Sequence, residues 1–175
     1  MRWHFALGRA IAAARHDGPV FRRLSRAEVG RNEFPEPLQI GIAWIRKKGS
    51  DVAPVTTGHI LERALQAAKK LESKGYSVTV IDLHTVKPLD ESVILTAAQK
   101  CGCMVTCEEH NVIGGMGSIV SRFSSKACPI PIRMAGIQDQ FGQSGSHVDL
   151  QRQYDVTAQA IVDAAERVMQ QKKGN

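Results

Sequence analysis

Apolar positions in this chain follow two alternating rhythms, short continuous runs and longer stretches spaced three and four residues apart. Ile60, Leu61, Ala64, Leu65, Ala68 and Leu71 form one stripe that predicts a helix over residues 58–73, ended by Gly75. The same spacing predicts a helix over 88–99 capped by Asp90, another over 117–126, and a closing helix over 157–171 with Ile161, Val162, Ala165 and Val168 inward. Continuous apolar runs at 39–45, 52–57, 76–83, 104–107 and 130–134 read as strands. Upstream, Trp3, Phe5, Leu7, Ile11 and Ala14 predict a helix over 3–15, stopped by Asp17-Gly18-Pro19. The run from Val20 to Leu24 then reads as a strand.

Strands that alternate with helices need long crossovers, so the sheet is expected to be mostly parallel and covered on both faces. The fold class is α/β, a three-layer sandwich with about five strands. Residues 27–38 mix charge with Asn32, Pro35 and Pro37 and read as a linker between the first 26 residues and a domain over 39–175. Ligands and partners of open sheets meet the carboxyl ends of the strands, which directs attention to residues 108–117.

Composition narrows the function classes. With 175 residues, 43% of them hydrophobic, the chain is long enough for a sizeable core. The net charge of +6 is scattered and aromatics are only 5%, which argues against a nucleic-acid track and suits a phosphorylated small substrate. Cys101, Cys103, Cys107 and Cys128 contain no C-x-x-C pair, and Cys103 and Cys107 share a face at strand period. They read as reduced core thiols, with no metal expected and a cytoplasmic location implied. No apolar run approaches the ~18 residues of a membrane span.

Glu108-Glu109-His110 at a strand end offers acid and base groups, but alternation puts Glu108 and His110 on one side and Glu109 on the other. Interface carboxylates bonded to a neighbouring loop are the plainer reading. Gly114, Gly115 and Gly117 open a helix whose first backbone N–H groups could approach an anion; without a P-loop lysine or G-x-G-x-x-G spacing, they favour close packing against another domain. His59 falls in the first turn of a helix, where it reads as a capping or solvent residue, His84 follows a strand and His147 precedes a helix, and none has a partner at metal-ligand spacing. No G-x-S-x-G nucleophile motif occurs, and no catalytic residue is assigned.

The segment Glu108-Glu109-His110 followed by Gly114-Gly115-Met116-Gly117 resembles the E-[ED]-H…G-G-x-G turn of transketolase C-terminal domains. Thr56-Thr57-Gly58, Thr85-Val86-Lys87-Pro88-Leu89-Asp90 and Gly136 to Gly145, with its Asp139, Phe141-Gly142 and Ser144-Gly145, are similar to further motifs of that family in the same order. Residues 17–26 resemble the end of its pyrimidine-binding domain. The resemblance implies that residues 1–26 are a remnant of that domain and that Arg26 binds substrate phosphate, which guanidinium grips bidentately. It also implies that Glu108, Glu109, His110 and the three glycines serve a domain or dimer interface.

The resemblance implies a complete enzyme that is a transferase moving a two-carbon ketol unit between sugar phosphates, as in the pentose phosphate pathway, with thiamine diphosphate and Mg2+. The residues that hold that cofactor have no counterpart here, so this chain alone is expected neither to bind it nor to turn over. Expected partners are the thiamine-binding and pyrimidine-domain portions of a transketolase, in a homo-oligomer, with no nucleic acid or membrane. The β subunit of 2-oxo-acid dehydrogenases and deoxyxylulose-phosphate synthase share the glycine turn, so both remain alternatives. A free-standing interaction or ligand-sensing domain is the reading from a different class.

Overall fold

The structure is a computed structural model, and it describes residues 4–25 and 38–174. Five strands form one sheet: β1 (Trp44–Lys47), β2 (Ala53–Thr56), β3 (Val80–Asp82), β4 (Met104–Asn111) and β5 (Ile132–Ile137), in the order β1-β3-β2-β4-β5. β3, β2, β4 and β5 run parallel, and only β1, at the edge, is antiparallel to its neighbour β3. Each parallel step is made by a crossover helix: α2 (Ile60–Ser73), α3 (Glu91–Cys101) and α4 (Met116–Ala127). α1 (His4–Ala14) precedes the sheet, and α5 (His147–Gln153) and α6 (Ala158–Lys173) close the chain.

Strand alternation sorts the core into two layers. On one face Val52, Val80, Cys103, Val105 and Cys107 pack with α2 and α6; on the other Ala53, Val55, Ile81 and Met104 pack with α3 and α4. Cys103 and Cys107 share a face as their spacing predicts, and the four cysteines are free. Burial pushes the Cys103 thiol up to about 11, which keeps it inert. The α2 stripe is buried at Ile60, Leu61, Ala64, Ala67, Ala68 and Leu71, and Gly75, at φ +89°, follows its end. Asp90 caps α3 by accepting a hydrogen bond from Val93 N at 3.2 Å, and its other oxygen accepts from Ala43 N at 2.8 Å.

Several boundaries differ from expectation. The edge strand begins at Trp44 rather than residue 39, because the chain turns at Gly41 (φ +86°), where a Cβ would meet the Pro88 ring at 3.0 Å. Residues 20–24 join no strand; Val20, Phe21 and Leu24 are exposed, since an apolar run without a ladder partner gains nothing from extending. β4 runs four residues past its predicted end, so the acidic pair lies within the strand. α5 has too short an apolar pattern to be seen in the sequence; Ser146 starts it by accepting from Asp149 N at 3.2 Å. No helix among the described residues is long and apolar enough to cross a membrane.

Candidate functional site at the carboxyl end of β4

β4 and the turn after it carry the residues singled out by sequence, and alternation sends Glu108 and Glu109 to opposite faces of the sheet. Glu108 is only 3% exposed and points at the start of α4. Its Oε2 accepts a hydrogen bond from Met116 N at 2.7 Å and its Oε1 one from Gly117 N at 2.8 Å. The N-cap residue Gly115 has no side chain to do this, so a carboxylate from the preceding strand satisfies the first free donors of the helix and meets its positive end.

The glycines exist to let that carboxylate in. A Cβ on Gly115 would collide with the Glu108 carboxylate and the Asn111 carbonyl, and one on Gly117 would lie 2.5 Å from Thr106 Oγ1 and 3.1 Å from Met134 Sδ. Gly114 adopts φ +77°, a conformation that favours glycine. The turn is pinned further by Asn111, whose Oδ1 accepts from Ile113 N at 2.8 Å, and by Ser118, whose hydroxyl donates to Val112 O at 2.9 Å. An anion niche at a helix N-terminus is therefore filled from within the chain. This turn does not fit a diphosphate, because its donors are already taken by a buried carboxylate.

Glu109 faces the other layer, where β2 leads into α2 and where α5 begins. His147 Nε2 lies 2.9 Å from Glu109 Oε1, and His59 Nε2 lies 3.0 Å from Oε2. The second pair is misaligned for a hydrogen bond, and His59 Nε2 is buried with no hydrogen-bond partner. The two imidazoles meet edge to face with centroids 5.1 Å apart. Partial burial on its own would raise the Glu109 carboxyl, but the contacts with His59 and then His147 outweigh it and hold the group below the usual carboxylate range.

Sequence reasoning placed His59 and His147 near helix starts but had no local signal to bring them together, as they stand 50 and 38 residues from Glu109. The usable signal was topological: β2 and β4 are parallel neighbours, so the residues just after β2 must lie beside the end of β4. His110 is exposed, and its Nδ1 lies 2.9 Å from the Asn111 carbonyl; it joins neither carboxylate. His84 packs on Trp44, with ring centroids 4.7 Å apart. Arg26 lies outside the described residues. Three positions before it, Arg23 donates from Nη1 to the Glu109 carbonyl at 3.1 Å, which brings the upstream segment to this same strand end.

Exposed apolar side chains surround the turn: Ile113 is 68% exposed and Phe141 99%. The loop bearing Phe141 is tied down by Tyr154, whose hydroxyl donates to the Phe141 carbonyl at 2.8 Å.

A family model described as transketolase, C-terminal domain, matches residues 41–161. The chain is 39% identical over 158 residues to the 6-deoxy-6-sulfo-D-fructose transketolase subunit SqwH of Clostridium sp. strain MSTE9, covering 90% of this chain and 49% of that protein. It is 40% identical over 156 residues to the 1-deoxy-D-xylulose-5-phosphate synthase of Thermomicrobium roseum, covering 87% of this chain and 25% of that one. Among solved structures, a split-gene transketolase described as an inactive β4 tetramer superposes with a TM-score of 0.89 at 36% identity, covering 94% of this chain and 55% of the other. The chain thus spans about half, or less, of the proteins it matches.

Proposed function

This chain belongs to the family of transketolase C-terminal domains, and from that premise we propose that it is the C-terminal portion of a thiamine-diphosphate-dependent enzyme that transfers a two-carbon ketol unit between anionic sugars. In this reading residues 39–175 form the domain, 27–38 the linker and 1–26 the tail of a pyrimidine-binding domain whose Arg26 grips the substrate phosphate. Thiamine diphosphate and Mg2+ sit on other portions of the enzyme, where the cofactor supplies a carbanion equivalent when bound. The work of this chain is assembly: the β4 turn, with Glu109, His110 and Gly114 at its surface over the buried Gly115 and Gly117, docks on the pyrimidine and thiamine-binding portions in a dimer or higher oligomer. We place the enzyme in the cytoplasm and, for sugar phosphates, in pentose phosphate metabolism.

The observation that carries this reading is Glu108. A family motif that resembles an anion cradle is closed by its own buried carboxylate, so the turn serves as a rigid strand-to-helix corner and leaves cofactor binding to other parts. Exposed Ile113 and Phe141 around that corner supply apolar docking area. The identity to a deoxyxylulose-phosphate synthase favours one second reading, in which the parent enzyme makes that ketose phosphate instead.

Purified alone, the chain is expected to show no ketol transfer; supplied together with the thiamine-binding and pyrimidine-domain portions of a transketolase, it is expected to form a stable complex with turnover. Turnover by the isolated chain would overturn the proposal. Donor preference in the reconstituted complex, ketose phosphate against pyruvate, separates the two readings.

A further inference from the structure

We propose that His59, Glu109 and His147 form a binding site for one divalent transition-metal ion of the zinc type. Three elements distant in sequence deliver these side chains to one point: the turn opening α2, strand β4 and the start of α5. One ligand atom from each lies within 4.8 Å of the others. With metal bonds of about 2.0–2.1 Å, the ligand atoms of a tetrahedral site stand about 3.3–3.4 Å apart. The two contacts with Glu109, at 2.9 and 3.0 Å, run to its two different oxygens, and with one ligand atom per residue the three lie within 4.8 Å of one another, so shifts of up to about 1.5 Å bring them to that spacing. The imidazole pair then closes about the ion.

Hydrogen bonding does not account for the whole arrangement. Glu109 and His147 satisfy each other, but His59 Nε2 is buried and aimed at a carboxylate oxygen along a direction that makes no hydrogen bond. His59 Nε2 is held 3.0 Å from Glu109 without an aligned hydrogen bond, an incomplete arrangement that is relieved when something else occupies its lone pair. A cation does so, and the same ion takes Glu109 and His147.

The donor set selects the metal. Two imidazoles and one carboxylate suit zinc and its neighbours, whereas Ca2+ and Mg2+ require oxygen cages. Three protein ligands leave a fourth position for water. Side-chain exposures of 14% at His59, 26% at Glu109 and 39% at His147 make His147 the side by which the ion enters. The backbone is placed to hold this geometry: Arg63 of α2 donates to buried Gln151 of α5 at 3.2 Å, so the two helices that supply the histidines are already joined.

The test titrates the full 175-residue chain, stripped with a chelator, with Co2+ and with Zn2+. The expected result is one equivalent bound, cobalt d–d bands of a four- or five-coordinate ion, and no sulfur-to-cobalt charge-transfer band. Glu109→Gln and His147→Ala should each lose more affinity than the ~10–100-fold that removal of an outer-shell partner costs. His16→Ala, at an exposed histidine elsewhere, should bind as the parent does. Circular dichroism confirms folding, and because His147 lies at the rim its variant remains informative if a His59 variant fails to fold. Failure to saturate at one equivalent, a thiolate band, or unchanged binding by the Glu109 and His147 variants would overturn the site.

Discussion

On one face of β4 Glu108 is sealed beneath a glycine turn where two backbone N–H groups donate to it, and on the other Glu109 sits partly open between two imidazoles. Adjacent residues of identical chemistry thus have opposite kinds of environment. The Glu108 side is all fixed donors, built so that nothing else can enter. The Glu109 side is all titratable side chains with solvent at the rim, the kind of place where a ligand can still arrive. The period of two along a strand separates structure from chemistry within a single dipeptide.

The sharpest break of that comparison comes from Glu108→Ala, which leaves two N–H groups at the buried helix start without an acceptor. A loss of roughly 3 kcal/mol in urea unfolding is expected. Gly117→Ala should follow at about 1–3 kcal/mol, because its methyl would press on Thr106 and Met134 in a packed layer. Asp90→Asn calibrates the same capping logic elsewhere and should cost about 1 kcal/mol near neutral pH. Glu109→Gln, measured metal-free, should cost under about 0.5 kcal/mol, since the group is partly exposed and its pairs are solvent-screened. If the variants at Glu108 and Glu109 proved equally damaging, the contrast between the two faces would fail.

Asp90 also carries a pH prediction. Burial alone would raise its carboxyl, but hydrogen bonds from Ala43, Ser92 and Val93 bring it below the usual range. A carboxyl depressed in the folded state contributes stability that is present above its unfolded value, near pH ~4, and is lost as pH falls through the lower folded value. Below pH ~4 the parent should therefore lose stability more steeply than Asp90→Asn, a difference read from urea midpoints across the acid limb.

How much of this was legible depended on range. The helix stripes, the shared face of Cys103 and Cys107, and the cap at Asp90 follow from periods of a few residues, and all are present in the structure. The opposite orientation of Glu108 and Glu109 was readable for the same reason. Residues 20–24 have strand composition but join no strand among the described residues, which composition does not report. The carboxylate filling the glycine turn has no local signature, because a cap normally comes from the N-cap residue, and here it comes from Glu108, eight positions before the Met116 N–H that it accepts from. His59 and His147 reach Glu109 only through the order of the strands and the path of α5, and no local spacing encodes that.

The most direct test of the central claim, that this domain completes a thiamine-diphosphate enzyme without holding the cofactor, is isothermal titration of the purified chain with thiamine diphosphate and Mg2+. The account predicts no saturable heat. Stoichiometric binding would contradict it and would place a cofactor site on residues to which the account gives only packing and docking roles.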